Sequence, residues 1–273
     1  MRAQAEASRT IQSQDGRFTF RFPSDPDGLD QDQEWFELQR DEDGADADWE
    51  RLRIHDYDKL FATPGLYEAL VYDTLKCRSP RRLVALLREV LDNWPTSPGD
   101  LRVLDLGAGN GIVGERLREA NAKTVVGIDI LPEAKAAAVR DYPDAYDEYL
   151  IADLTELTEG QQRTLREANF NALTTVAALG FGDIPPRAFA NAFNYVSTPG
   201  WIAFTIKEDF LSDGDESGFS GLMKTMLRER IINLEGQLRM FHRESLAGEK
   251  LFYLGVVARK LRDIPEDAIR RAE

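Results

Sequence analysis

Gly107, Gly109 and Gly111 stand at every second position in VLDLGAGNGIVGERL (residues 103–117), between a short apolar run and a helical pattern. Glycines so spaced let a strand-to-helix turn meet a ligand with bare backbone, because no Cβ stands in the way. A dinucleotide turn needs Gly-x-Gly-x-x-Gly, its third glycine allowing the helix to pack on the strand. Here that third position is Ile112, and Gly114 does not restore the register. Asp105, two residues before Gly107, falls at the strand end. A carboxylate there repels a diphosphate but accepts hydrogen bonds from an ammonium, directly or through water. The turn therefore suits a ligand with a cationic amino-acid end better than one with a pyrophosphate.

Two further carboxylates follow at the same spacing logic. Asp129 ends the next apolar run, 22 positions after Gly107, where it can accept from both hydroxyls of a ribose. Asp153 closes the third run in IADL, where it can accept from an adenine amino group while the Leu154 N–H donates to the ring. Any one of these is a common helix cap. Three at successive strand ends behind a glycine turn form a set.

The elements that must position them are short apolar runs alternating with helical segments. LRVLDL (101–106), TVVGID (124–129), EYLIAD (148–153), NALTTVAAL (171–179) and WIAFTIK (201–207) read as strands buried on both faces. Helical segments lie near 111–121, 132–140, 158–168 and 185–195. Such repetition implies a parallel sheet with right-handed crossovers. The run INLEGQLRMFHRESLAGEKLFYLGVVARK holds two strand patterns joined by a short Ala-Gly turn, an antiparallel hairpin at the sheet's edge. The expected fold is α/β: a Rossmann-like, doubly wound, seven-stranded sheet, mostly parallel, with a C-terminal antiparallel β-hairpin, an N-terminal extension and a helical cap.

VLDLGAGNG, VVGIDI and LIADL resemble the three successive motifs of class I S-adenosylmethionine-dependent methyltransferases of the small-molecule type. The resemblance covers about residues 100 to 260, the terminal hairpin included. It implies S-adenosyl-L-methionine as cofactor and S-adenosyl-L-homocysteine as product. In that frame Asp105, Gly107, Ala108, Gly109, Asn110 and Gly111 line the methionine end, and Asp129 with Ile130 holds ribose and adenine. Asp153 with Leu154 meets the adenine edge, and Val176 in the fourth strand approaches from the other side. HDYDKLF (55–61) resembles the Tyr-Asp element that precedes the first motif in many relatives. This places Tyr57 near the sulfonium or the pocket mouth; a helix-surface tyrosine is the alternative.

Methyl transfer is a direct displacement on a carbon activated by positive sulfur, so alignment and exclusion of water do most of the work. A base is needed only where the acceptor arrives protonated. The candidates are His55, His242, Glu208 and Asp209, with Tyr57 also near the chemistry, and no pair of them has diagnostic spacing. The fourth strand ends in AALGFGDIPP, without the Asn/Asp-Pro-Pro-aromatic tetrad of relatives that methylate base or glutamine amides. Its small residues and Phe181 suggest an open rim for a small acceptor. Tyr67 and Tyr72 are placed to cover that rim and face the sulfonium through their rings, with core packing the alternative for each. No His/Asp/Glu cluster has metal-ligand spacing, so no metal is expected. The competing functions are a cofactor-binding module of the same fold without activity and an NAD-dependent oxidoreductase, the latter opposed by Ile112 and Asp105.

The chain has 273 residues and a net charge of −14, of which residues 1–50 contribute −9 through 5 Lys+Arg and 14 Asp+Glu. So acidic a surface repels phosphate backbones and counts against nucleic acid as substrate. There is one cysteine, Cys77, read as a core thiol; no internal disulfide is possible. No long apolar run and no apolar leader are read, so no membrane association and a cytoplasmic location are expected. FTFRF (18–22) alternates with period two, and EWFELQR (34–40) and DWERLRI (48–54) flank the turn-rich DEDGADA as a plausible hairpin. The organisation expected is an acidic extension over 1–54, a helical cap over 55–98, the cofactor-binding domain over 99–262 and a tail over 263–273.

Overall fold

Alternating phenylalanines build the first layer. The computed structural model describes residues 7–23, 31–44 and 48–273; residues 1–6 of the expected extension and 45–47 of its acidic loop lie outside the described residues. The chain divides into two units, Met1–Arg78 with Phe241–Leu251 and Ser79–Met240 with Phe252–Glu273. The division runs through the expected cap: residues 55–78 fall in the first unit and 79–98 in the second.

In the first unit, β1 (Ala7–Gln12), β2 (Phe18–Pro23), β3 (Trp35–Arg40) and β4 (Glu50–Arg53) form an antiparallel sheet in that order. Phe18, Phe20, Phe22, Phe36, Leu38 and Leu52 bury one face, as a period of two requires. The other face carries an Arg21–Glu37–Arg51 ladder. The guanidinium of Arg21 lies 3.7 Å from the Trp49 ring centre, and that of Arg51 lies 3.8 Å from Trp35. The expected hairpin is β3–β4. β1 was not expected, because ASRTIQ has almost no apolar pattern and is ordered by pairing with β2. Helix α1 (Tyr57–Ala62) and a π-helical stretch, Glu68–Thr74, add Leu60, Leu70 and Val71 to the buried face. Leu246 joins the same core. Beside it the buried Arg243 and Glu34 side chains form an ion pair, and Glu34 also accepts from the Leu246 N–H at 3.0 Å.

The second unit opens with α2 (Ser79–Leu91), begun by the expected Ser-Pro pair. Then β5 (Arg102–Leu106), α3 (Ile112–Glu119), β6 (Thr124–Asp129), α4 (Pro132–Asp141), β7 (Glu148–Ile151) and α5 (Glu159–Glu167) alternate. β8 (Ala172–Leu179), α6 (Pro186–Asn194), β9 (Gly200–Ile206) and α7 (Phe219–Arg228) continue, followed by β10 (Ile232–Glu244), β11 (Lys250–Lys260) and α8 (Glu266–Arg271). The seven-stranded sheet runs β10-β11-β9-β8-β5-β6-β7. β5 to β9 pair in parallel, and β11 lies antiparallel to β9. This is the expected α/β architecture with its terminal hairpin. Helices α7 and α8 were not anticipated.

The central strands β5, β6, β8 and β9 bury both faces. Val103, Val125, Ala172 and Trp201 pack with Leu83, Leu87, Val113 and Leu117 of α2 and α3. Leu104, Leu173, Ile202 and Phe204 pack with Phe189, Phe193, Phe219 and Ile269 of α6, α7 and α8. Strand order reverses at β5, with β6 on one side and β8 on the other. A crevice outside the carboxyl ends of the strands opens at such a reversal. Among the described residues, no helix is long and apolar enough to cross a membrane.

Candidate functional site

The glycine turn crosses that crevice. Gly107, Gly109 and Gly111 have φ of 69°, 53° and 99°, left-handed values that side chains rarely adopt. A Cβ on Gly107 would stand 2.9 Å from Ile184 Cδ1 and 3.2 Å from Ala178 Cβ, so the turn also needs glycine for space. The turn is tied to β6: the N–H groups of Gly107 and Ala108 donate to the Ile128 carbonyl at 2.9 and 3.1 Å. The Gly109 N–H donates to Asp129 Oδ2 at 3.0 Å, and the Tyr149 hydroxyl donates to the Gly109 carbonyl at 2.8 Å. Ala108 and Asn110 are buried in the turn.

Asp105 lies beneath this turn, 1% exposed. The Tyr146 hydroxyl donates to its Oδ2 at 2.7 Å and the Thr174 hydroxyl to its Oδ1 at 2.6 Å. Burial pushes its pKa up to about 7; the two hydroxyls oppose the shift and the Asp129 charge adds to it. The sequence placed Asp105 as a lining group of the cleft; here both its oxygens face hydroxyls inside the protein.

Asp129, at the end of β6, takes the Leu131 N–H on Oδ1 at 3.0 Å and the Gly109 N–H on Oδ2. A carboxylate has about four lone-pair sites, so Asp129 keeps acceptor capacity for a further donor. Burial raises its pKa, opposed by backbone N–H groups of Leu131, Gly109 and Ile130, while the charge of Asp183 pushes it higher. Ile130 is 59% exposed, an apolar surface beside that carboxylate. Asp153 lies two residues beyond β7 instead of closing it, because Oδ1 accepts from the Thr155 N–H and hydroxyl at 2.7 Å each, a local turn. Leu154 is buried, and its carbonyl accepts from Asn191 Nδ2 at 2.8 Å.

On the β8 side, Val176 sits in a break of register between Thr175 and Leu179. Ala177 has φ of 56°, held by its N–H donating to Thr205 Oγ1 at 2.7 Å. Bulges of this kind re-aim a strand end next to a site. Phe181 meets Phe210 edge-on at 4.8 Å, with Lys207 Nζ 5.8 Å from the Phe181 ring centre. Glu208 pairs with Arg239 at 3.1 Å and Asp209 with Lys207 at 2.7 Å, so both candidate bases already face cations.

The remaining candidates belong to the first unit. Tyr57, Phe61, Tyr67 and Tyr72 form one aromatic cluster with neighbouring ring centres 4.8–6.4 Å apart, and His55 lies 5.4 Å from Tyr57. His242 is buried, with Nδ1 3.9 Å from Cys77 Sγ. Burial, with Arg243 beside it, depresses its pKa well below the usual value, so the ring is neutral. Tyr146, Tyr149, Thr174, Asp183 and Ile184 were missed from sequence, since no local spacing marks a residue whose partner lies several elements away. Among the described residues, no group of three or more His, Cys, Asp or Glu is placed to hold a metal ion.

A family model described as a methyltransferase domain matches residues 78–248. The chain belongs to the methyltransferase domain family. Among solved structures, it is similar to the N-methyltransferase NodS from Bradyrhizobium japonicum WM9 in complex with S-adenosyl-L-homocysteine. That likeness has 15% identity and a TM-score of 0.52 over 76% of this chain and 97% of that one. A second likeness is to an S-adenosylmethionine-dependent methyltransferase from Mesorhizobium loti, at 21% identity and a TM-score of 0.45 over 66% and 96% of the two chains. A third is to magnesium protoporphyrin IX methyltransferase from Synechocystis PCC 6803 with bound S-adenosyl-L-homocysteine, at 14% identity and a TM-score of 0.45 over 66% and 81%. No curated protein compared with the chain matches it. The family model spans α2 to the β10–β11 turn, and so takes in the glycine turn with Asp105 and Asp129.

Proposed function

We propose that this methyltransferase binds S-adenosyl-L-methionine over the glycine turn and passes its methyl group to a small organic acceptor, releasing S-adenosyl-L-homocysteine. One observation carries the reading: a bare, left-handed glycine turn has Asp105 beneath it, Asp129 on one side and Asp183 close enough for its charge to act on Asp129. An anionic mouth repels a diphosphate and favours a cationic tail. That opposes the dinucleotide alternative.

The cleft residues fit the cofactor by donor set and shape. Asp129 has acceptor capacity for the ribose hydroxyls, and exposed Ile130 offers apolar surface to the adenine, with Asp153 and Leu154 farther along the same rim. Gly107 to Gly111 leave room for the methionine end, and Val176 in the β8 bulge faces it across the turn. When bound, the cofactor supplies a methyl group activated by sulfonium charge, so the chain must orient and desolvate more than it must activate. Phe181 is the acceptor-side residue of this reading, and Glu208 is a base candidate only where the acceptor arrives protonated.

A small acceptor is favoured over nucleic acid by the net charge of −14 and the acidic mouth. Calorimetric titration with S-adenosyl-L-homocysteine and with NADH tests the cofactor, and saturable binding of NADH alone would reject it. Formation of S-adenosyl-L-homocysteine with a panel of amine, phenol and thiol acceptors tests the reaction. Tight binding without turnover across that panel would favour the non-catalytic module.

A further inference from the structure

We infer that the outer edge of β10, over Asn233–Arg239, is a self-complementary surface on which a second copy of this chain pairs in antiparallel, joining two seven-stranded sheets into one. The inference is independent of the cofactor reading.

β10 is the last strand of its sheet, with β11 on one side only. Among the described residues, no backbone hydrogen bond ties Asn233–Arg239 to an element other than β11. Five of these seven residues, Asn233, Leu234, Gln237, Leu238 and Arg239, are exposed. A Cβ on Gly255 of β11 would stand 3.6 Å from the Leu238 carbonyl oxygen, so that carbonyl points toward β11. By the alternation of an antiparallel ladder, Gln237 and Arg239 turn their N–H and C=O groups outward, and Glu235 does the same at period two. Bare edges are commonly blunted by lysine or proline; this stretch contains neither.

Side chains alternate between the two faces of the strand. A Cβ on Gly236 would meet Val90 Cγ2 at 2.5 Å and Leu86 Cδ1 at 3.6 Å. Gly236 therefore lies on the face where α2 packs, and with it Leu234 and Leu238, at 42% and 41% exposure. Glu235 and Arg239 lie on the other face. Glu235 accepts from Asn233 Nδ2 at 2.6 Å, and Arg239 Nε donates to Glu208 at 3.1 Å in an exposed pair. The Nη groups of Arg239 are left for a second carboxylate. A two-fold axis through Gln237 sets Glu235 opposite Arg239 of the second copy, twice over. Leu238 then lies opposite Gly236 of that copy, where Val90 fills the space a side chain would take, and Leu234 lies opposite Met240. Opposite charges directly across a ladder attract and like charges repel. The net charge of −14 opposes association of two copies at long range. The stretch itself, with one Glu and one Arg, is neutral and adds nothing to that repulsion. An unrelated extended peptide would satisfy the backbone groups but not the two reciprocal ion pairs, which favours a second copy as the occupant.

Sedimentation velocity of the full chain over a concentration series tests this. Wild type should form a concentration-dependent dimer. Glu235→Arg and Arg239→Glu, with folding checked by thermal melting, should each weaken the dimer about tenfold or more, since each sets like charges across both pairs. An equimolar mixture of the two variant chains should restore a dimer, because every cross-strand pair is then opposite in charge. Wild type that stays monomeric throughout the series overturns the inference, as does a dimer that neither variant weakens. Failure of the mixture to re-form the dimer overturns it as well, since a local distortion in each variant would account for the single losses but not for recovery on mixing.

Discussion

The hydroxyl of Tyr146 meets the carboxylate of Asp105 at 2.7 Å, 41 residues away in sequence, and the Tyr146 ring packs where a side chain on Gly114 would stand. One tyrosine therefore couples the end of β5 to the first turn of α3. Tyr146→Phe keeps the ring and removes the donor. It should cost about 1–3 kcal/mol in urea unfolding at neutral pH. A loss below a few tenths of a kcal/mol would mean that the hydroxyl does not support the acid.

Asp105 sets a pH dependence of definite sign. Its folded pKa, about 7, lies above the ordinary 3.8, so between those values the native state holds more protons than the unfolded chain. Its contribution is then most favourable at low pH and is lost as pH rises through about 7. Relative to Asp105→Asn, wild type should lose stability between pH 4 and pH 7, by a few kcal/mol at most. Parallel unfolding midpoints of the two chains across that window would contradict the assignment.

The turn itself has little tolerance. At Gly107 both φ, at 69°, and the contacts with Ile184 and Ala178 oppose a side chain. Gly107→Ala should destabilise the fold by about 1–3 kcal/mol and lower affinity for S-adenosyl-L-homocysteine more than that for an unrelated adenosine analogue. An alanine variant with wild-type affinity would show that the backbone does not approach the ligand there.

In the first unit the Glu34–Arg243 pair is buried, at 5% and 4% side-chain exposure. Arg243→Met leaves Glu34 with only the Leu246 N–H and should cost about 3–5 kcal/mol, whereas the double variant Glu34→Leu, Arg243→Met should recover much of it. A double-mutant cycle by denaturant unfolding gives the coupling. Additive losses would refute the pairing.

Lys260 is fully buried on β11. Its Nζ donates to the carbonyls of Phe193 and Val196 at 2.9 and 2.6 Å and pairs with Asp263 at 2.6 Å, and burial lowers its pKa. It caps the carboxyl end of α6. Lys260→Met removes the Nζ donor from both carbonyls, leaving that of Phe193 with the Val196 N–H, and should cost about 1–3 kcal/mol, with amide exchange rising first in the last turn of α6. Exchange that rises evenly across the unit would argue against a cap.

What could be read from sequence was what local pattern encodes. The βα alternation, the glycine turn and the Asp129 strand end each depend on neighbours within a few residues. β1 escaped because its polar residues become a strand only against β2, and α7 and α8 because their apolar faces complete a core assembled from distant strands. The third strand ends at Ile151, two residues short of Asp153, whose local Asp–Thr turn looks like a strand end. The burial of Asp105 depends on Tyr146 and Thr174, 41 and 69 residues away. The nearness of Asp183 to the turn depends on a bulge that no spacing announces.

The first unit borrows residues 241–251 from the far end of the chain. During synthesis on the ribosome, Glu34 must wait more than two hundred residues for its guanidinium, and the phenylalanine layer for Leu246. The second unit likewise draws on 252–273. Neither unit can mature until residues 241–273 have emerged, so a chain cut short before residue 241 would lose the buried ion pair of the first sheet along with β11 of the second.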